Sequence, residues 1–175
     1  MNNDRQDVFA HPTAIVDPKS KVGPGTKIWV NVQIREMATV GEGCIISKDV
    51  YIDRGVKIGN RVKIQNGVCV YAGVTIEDDV FVGPHAMFTN DRVPRAFNTA
   101  WHITETRVEE GASIGANATI VCGITLGAFC MIGAGSVVTR SVPPYTLVKG
   151  NPARTYARID RSGAVVELID RGANA

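Results

Sequence analysis

The sequence predicts an all-β fold: a parallel β-helix of about 6–7 turns, with one protruding loop and a short C-terminal extension. Three observations predict it. An apolar residue recurs at every sixth position. A smaller residue recurs four places after each of these. Gly, Asp, Asn and Pro fill the intervals between them.

The apolar series begins at Ala10 and runs Val16, Val22, Ile28, Ile34, Val40, Ile46, Ile52, Ile58, Ile64, Val70, Ile76, Val82 and Phe88, fourteen positions without a polar residue. The smaller series includes Ala14, Ser20, Thr26, Val32, Ala38, Cys44, Val50, Val56 and Val62. A short β-branched run favours strand, and Gly or Asn soon after it favours a tight corner. Six residues thus make one flat side, and three sides close a coil of eighteen. Coils stacked at the ~4.8 Å spacing of β-ladders put Val22, Val40, Ile58 and Ile76 in one interior column. One coil cannot bury its apolar side alone, whereas a stack can. Ordinary sandwich strands would not keep a single six-residue phase over such a length.

The phase breaks once, after Phe88. The segment TNDRVPRAFNTAWHITETR has no β-branched rhythm. The period resumes at Val108 and continues through Ile114, Ile120, Leu126, Ile132 and Val138. The step from 88 to 108 is not a multiple of six, so a loop of about 94–107 leaves the coil. It carries Arg92, Arg95, Phe97, Trp101 and His102 in or beside it, residue types suited to a ligand or a subunit contact. Twenty hexapeptides make about six and two-thirds turns, ~32 Å of prism. Residues 1–9 read as an N-terminal segment, 10–154 as the β-helix domain and 155–175 as a C-terminal extension. Two short apolar stretches around Arg161-Ser162-Gly163 suit a small hairpin, with a short helix from Gly163 as the alternative.

Composition narrows the function classes. A formal net charge of +2 gives no bulk attraction for nucleic acid. No apolar run reaches the ~18 residues of a membrane span, and the N-terminus lacks the layout of a signal peptide, so a cytoplasmic protein is expected. Cys44, Cys69, Cys122 and Cys130 form no CxxC pair and fit no zinc spacing, and they read as core or corner residues.

The repeat resembles that of the hexapeptide acyltransferase superfamily, whose members fold as left-handed β-helices. The hand is implied by the resemblance, since it is the exception to the usual right-handed crossover. The stretches VKIGNRVKIQNGVCVYAGVTIEDDVFVGPHAMFTND (56–91) and GASIGANATIVCGITLGAFCMIGAGSVVTRSVPPYTLVKGNPAR (111–154) are similar to nucleotide-sugar N-acetyltransferases. These acetylate the 3-amino group of UDP- or dTDP-linked aminosugars, including UDP-2-acetamido-3-amino-2,3-dideoxyglucuronate, in surface-polysaccharide biosynthesis such as that of lipopolysaccharide. The resemblance covers about residues 10–154.

The resemblance implies a homotrimer with active sites between neighbouring prisms, acetyl-CoA as cosubstrate, a nucleotide-linked aminosugar as acceptor, and no metal, nucleic-acid or membrane partner. Gly115, Ala116, Gly133 and Ala134 would let the pantetheine chain approach the backbone. Arg140 and Arg154 are candidates for the phosphates of CoA. Asn90, in the FTN segment, would accept a hydrogen bond from the acceptor amine and aim its lone pair. His85 is the alternative, as a general base. Asn66, Tyr71, Gln65, Arg35 and Arg95 are candidates for contacts with the sugar and its nucleotide.

Other readings of the same repeat remain open. A serine or 4-amino-sugar acceptor, or a larger acyl donor, would use the same fold. A γ-type carbonic anhydrase would need three converging His. The chain has only His11, His85 and His102, and His11 falls several coils from the others. A passive scaffold would not explain the interrupted phase. The choices between UDP and dTDP, and between a neutral sugar and a uronate, are open.

Overall fold

The computed structural model describes residues 7–169. Most of the expected N-terminal segment and the end of the extension lie outside the described residues. Strands of two or three residues alternate with three-residue corners, and among the described residues there is no helix. The strands stack in parallel on three faces, as a left-handed β-helix requires. Face I runs from Phe9–Ala10 to Thr146–Gly150, face II from Ile15–Val16 to Val137–Val138, and face III from Lys21–Val22 to Thr125–Leu126. Edge I joins faces I and II, edge II joins II and III, and edge III returns to face I.

The rung interval is the one that the hydrophobic period predicts. Val22 pairs with Val40, Val40 with Ile58 and Ile58 with Ile76. The residue of the six-residue series points inward, as Ile28, Ile46 and Ile64 do on face I, each essentially inaccessible to solvent. The smaller series fills the prism beside them. Thr26 takes one of these places because its hydroxyl donates to the carbonyl of Gly41 (2.9 Å) and accepts from the amide of Cys44 (3.0 Å). No side-chain nitrogen or oxygen buried among the described residues lacks a partner.

Beyond the first coil most corners share one conformation. The third corner residue takes a left-handed backbone, as at Gly25, Asn31, Asp49, His85 and Asn117. Asn and Asp tolerate this region, whereas Met37, Arg61, Phe129 and Tyr145 adopt it at a cost. Each of the last three is held by contacts along the stack. Arg61 is clamped to Asp79 at 2.7 and 2.8 Å, and the rings of Phe129 and Tyr145 stack at 5.4 Å. The Arg61 guanidinium holds the Asp79 carboxyl below the usual carboxylate range.

The coil outlasts the twenty hexapeptides. Val142 bridges Leu126, and Val148 pairs with Ile132, adding an eighth parallel rung to face I. This turn has sixteen positions instead of eighteen, which takes it out of phase. From there the chain reverses. Strand Ala153–Ile159 runs antiparallel to Thr146–Gly150, and Val165–Leu168 runs antiparallel to Ala153–Ile159. The tail therefore forms a hairpin and not a helix.

The protruding loop occupies 89–105, starting earlier than the sequence suggests and ending where strand Thr106–Val108 begins. Ile76 pairs with Val108, so a coil of thirty-two positions replaces one of eighteen without disturbing the ladder. The loop leaves at edge II directly after Phe88, the one Phe of the buried core. Replacing Phe88 with Ala is expected to cost about 3–5 kcal/mol of stability, because a rigid coil collapses poorly onto the cavity. Chemical denaturation of wild type and variant checks this.

Candidate functional site

The candidate residues divide between two edges. On edge I, one above another, lie Gln65-Asn66-Gly67, Gly83-Pro84-His85, Gly115-Ala116-Asn117 and Gly133-Ala134-Gly135. On edge II lie Arg35-Glu36-Met37, Asp53-Arg54-Gly55, Tyr71-Ala72-Gly73 and then Thr89-Asn90, where the loop leaves. Arg140 is exposed near the top of edge II. Arg95 is exposed in the loop and donates to the carbonyl of Pro94 at 2.7 Å. Arg154 sits on the antiparallel strand Ala153–Ile159. Face II separates His85 from Asn90, so one copy of the chain does not bring the two together.

Edge I carries open backbone. A Cβ on Gly115 would fall 2.5 Å from the nitrogen of Ala134, and one on Gly83 would fall 2.6 Å from the nitrogen of Ala116. Glycine there is first a requirement of coil-on-coil packing. It has a second consequence. On edge III the matching corner amides are satisfied by side chains of a neighbouring rung: Glu42 N donates to Asn60 Oδ1 (3.0 Å), Asn60 N to Asp78 Oδ1 (2.8 Å), and Ala128 N to Glu109 Oε2 (2.9 Å). Gly and Ala rungs offer no such acceptor. The amides of Ala116 and Ala134 accordingly meet no acceptor among the described residues. A line of outward amides on a smooth edge suits a ligand that carries its own carbonyls.

His85 stands beside these amides. Its backbone amide donates to the carbonyl of Asn66 at 2.9 Å, and its ring lies over the corner of Gly67, where a Cβ would come within 2.5 Å of Nδ1. No side chain among the described residues is hydrogen-bonded to that ring. Asn66 is exposed and Gln65 half-buried beside it.

Edge II is more tightly organised. Asn90 Nδ2 donates to the carbonyl of Ala72 one rung below, at 3.2 Å. The carbonyl of Asn90 accepts from the amide of Thr104 at 2.9 Å, closing the neck of the loop. Arg92 pins the loop upward, donating to the carbonyl of Cys122 at 3.0 Å. Asn90 Oδ1 is left as an open acceptor at the base of the loop. Tyr71 packs its ring 6.0 Å from that of Tyr51. The guanidinium of Arg35 is engaged by Glu36 at 2.8 and 3.1 Å and by the hydroxyl of Tyr51 at 3.3 Å. Hydrogen bonds to Glu36 and Tyr51 hold the Arg35 pKa up. A hydrogen bond from its own backbone amide and one from Arg35 hold the Glu36 carboxyl below the usual range.

Sequence reasoning missed several residues at this edge. Tyr51 and Asp53 tie Arg35 to the rungs above. A cleft of about 650 Å³ lies under the loop against edge II, lined by Glu36, Arg54, Lys57, Ala72, Ile103 and Glu105 among others. The eighteen-residue spacing of 35, 53, 71 and 89 marks one column, which is the signal that was available. Cys44, Cys122 and Cys130 are buried, whereas Cys69 is half-buried on the outward side of face II and lies neither in the core nor at a corner. Burial pushes Cys130 up to about 12 and also raises Cys44 and Cys69. No group of three metal-ligating side chains gathers among the described residues, and His11, His85 and His102 lie in the first coil, the fifth and the loop.

The bacterial transferase hexapeptide (six repeats) family matches residues 37–72 and 55–90. The hexapeptide repeat of succinyl-transferase matches 105–140. The dTDP-3-amino-3,6-dideoxy-alpha-D-galactopyranose 3-N-acetyltransferase of Aneurinibacillus thermoaerophilus is 48% identical over 68 residues, 39% of this chain and 35% of that protein. The 2,3,4,5-tetrahydropyridine-2,6-dicarboxylate N-acetyltransferase of Brevibacillus brevis is 47% identical over 53 residues, 30% of this chain and 22% of that protein. The chain thus spans well under half the length of these curated relatives. Among solved structures, PerB from Caulobacter crescentus, in complex with CoA and GDP-perosamine, superposes with a TM-score of 0.54 at 23% identity, over 86% of this chain and 57% of that one. AntD, an N-acyltransferase from Bacillus cereus in complex with dTDP-4-amino-4,6-dideoxyglucose and coenzyme A, gives 0.56 at 16% identity, over 89% and 85%. At these identities the structures bear on the fold alone. The chain is built of hexapeptide repeats and resembles the acyltransferases made of them, aminosugar N-acetyltransferases included.

Proposed function

We propose that this hexapeptide-repeat chain is an acetyl-CoA-dependent N-acetyltransferase acting on the 3-amino group of a UDP- or dTDP-linked aminosugar. The observation that carries the proposal is the commitment of the Asn90 amide. With Nδ2 bound to Ala72, Oδ1 faces the base of the loop as an acceptor. A neutral amine donating one N–H to that oxygen has its lone pair directed away from it, toward a thioester. The 48% identity to a dTDP-3-amino-sugar 3-N-acetyltransferase supports the 3-amino acceptor.

The chemistry needs little else. An amine flanked by ring oxygens is less basic than lysine, so a useful fraction is neutral near pH 7. Its nitrogen attacks the thioester carbon, and a backbone amide steadies the oxyanion. The C–S bond then breaks, and the departing thiolate, of ordinary pKa ~8.5, takes the ammonium proton. The products are the amide and free CoA. Positioning supplies the rate, and His85 is not required as a base. The amides of Ala116 and Ala134 would receive the pantetheine carbonyls, with Gly115 and Gly133 keeping the edge smooth. Arg140 and Arg154 are offered to the phosphates of CoA, and Asn66, Tyr71, Gln65, Arg35 and Arg95 to the acceptor.

The donor edge and Asn90 meet if three copies assemble about face II, which lies between edges I and II. The outward residues of that face, Gln33, Tyr51, Cys69, Met87, Thr119 and Val137, are uncharged. Faces I and III present Lys27, Lys63, Lys57 and Arg107 at the same positions. A threefold arrangement around the uncharged face would set edge I of one copy beside edge II of the next.

Two outcomes follow. Thiol release from acetyl-CoA, measured across UDP- and dTDP-linked 3-amino and 4-amino sugars, is expected with a 3-amino sugar, and Asn90→Ala lowers its kcat about 10²-fold. Release with no amino sugar would defeat the reading. Met87→Lys, placed in the middle of face II, is expected to convert a trimer into single chains of 18.8 kDa, read by light scattering, with loss of activity.

A further inference from the structure

We propose that Asp53 is a positioning residue for the acceptor amine, acting through a hydrogen-bonded column that fixes which end of the Asn90 amide faces the substrate. The inference rests on the proposed role of Asn90 and concerns residues two and three rungs below the loop.

An asparagine amide has two ends of similar shape and opposite chemistry. Only the oxygen accepts from an amine, so catalysis by Asn90 needs its NH2 held elsewhere. The holder is the carbonyl of Ala72, at 3.2 Å. That carbonyl belongs to a corner peptide, and corner peptides can tilt. The amide of Ala72 lies in the preceding peptide and is fixed from below, donating to Asp53 Oδ2 at 3.2 Å, so the column restrains that carbonyl by anchoring the residue that bears it. The other carboxylate oxygen of Asp53 accepts from the hydroxyl of Tyr51 (3.0 Å) and from the amide of Arg54 (2.8 Å). Tyr51 accepts from Arg35 Nη1 at 3.3 Å, and Arg35 is clamped by Glu36. Burial, and then the bond to Asp53, hold the Tyr51 hydroxyl above its ordinary pKa, so it stays a donor at neutral pH.

The column differs from the staples of edge III in what it ends on. There Asp78 holds the Asn60 side chain as well as its amide and Arg61, but the Asn60 oxygen is itself taken by the Glu42 amide, and Glu109 ends on the Ala128 amide, so no side chain is left open. Here a carboxylate at each end of an Arg–Tyr pair leads, through the single residue Ala72, to the open side chain beside the loop. Asp53 is well suited to its place because a carboxylate accepts on both oxygens. Ala72, Tyr51 and Arg54 all donate to it, and a neutral amide could not satisfy all three.

Three variants and two readouts test the inference. Asp53→Ala is expected to lower kcat at least tenfold with KM for acetyl-CoA unchanged. In an Asn90→Ala background the same change should alter kcat less than twofold, because its route to the reaction is already gone. Tyr51→Phe, which removes one bond and no volume, should show a smaller loss with the same dependence on Asn90, and it serves if Asp53→Ala fails to fold. The second readout needs no substrate: the side-chain NH2 resonances of Asn90, assigned by their loss in Asn90→Ala. They should be distinct in wild type and move or average in Asp53→Ala and Tyr51→Phe. Losses that multiply with Asn90→Ala, or Asn90 resonances unmoved in both variants, would overturn the inference. If no amino sugar is acetylated, the enzymatic reading fails by itself, while the resonances still decide whether the column holds Asn90.

Discussion

The structure depends on one constraint: from Phe9 to Val138 every strand is two or three residues long and has no strand partner except those one coil above and below. Such strands have no independent stability, so the eighteen-residue register must hold everywhere. That explains why the inward series is so uniform and why exceptions carry their own compensation. Thr26 is admitted because its hydroxyl closes two backbone bonds. A loop of seventeen residues is admitted because Ile76 and Val108 still pair as neighbouring rungs.

Because the three faces are locked, variation falls on the edges, and the edges differ by what happens to corner amides. Edge III spends acidic and amide side chains on closing them. Upper edge I has Gly and Ala at the first two corner places, and the amides of Ala116 and Ala134 stay open. Edge II uses a carboxylate, a tyrosine and an arginine to anchor Ala72, the residue on whose carbonyl Asn90 rests. Edges I and II flank the one face without outward charge. A single copy holds the open amides of edge I and Asn90 on opposite sides of that face, and assembly about it would bring them together.

Most of the fold was legible in the sequence because the core has one period. The column through Val22, Val40, Ile58 and Ile76 follows from counting. The eighth rung was not legible, since its turn is two residues short and Pro143-Pro144 interrupts the apolar rhythm. The start of the loop was placed late because Thr89 and Asn90 are ordinary corner residues, which only the structure distinguishes as the point of departure. The separation of His85 from Asn90 was implicit in the period. One is the third residue of its corner, and the other the second residue of the next. The column on Asp53 could not be read, because register gives its members a common edge but not the rotamers that link them.

The most direct measurement is a crystal structure of the protein with CoA and a UDP- or dTDP-linked 3-amino sugar. The account predicts CoA lying along edge I, its pantetheine carbonyls on the amides of Ala116 and Ala134. The sugar's 3-amino nitrogen should lie within hydrogen-bond distance of Asn90 Oδ1 of the neighbouring copy. CoA bound away from edge I, or an amine that meets the nitrogen of Asn90 or does not meet Asn90 at all, would contradict it.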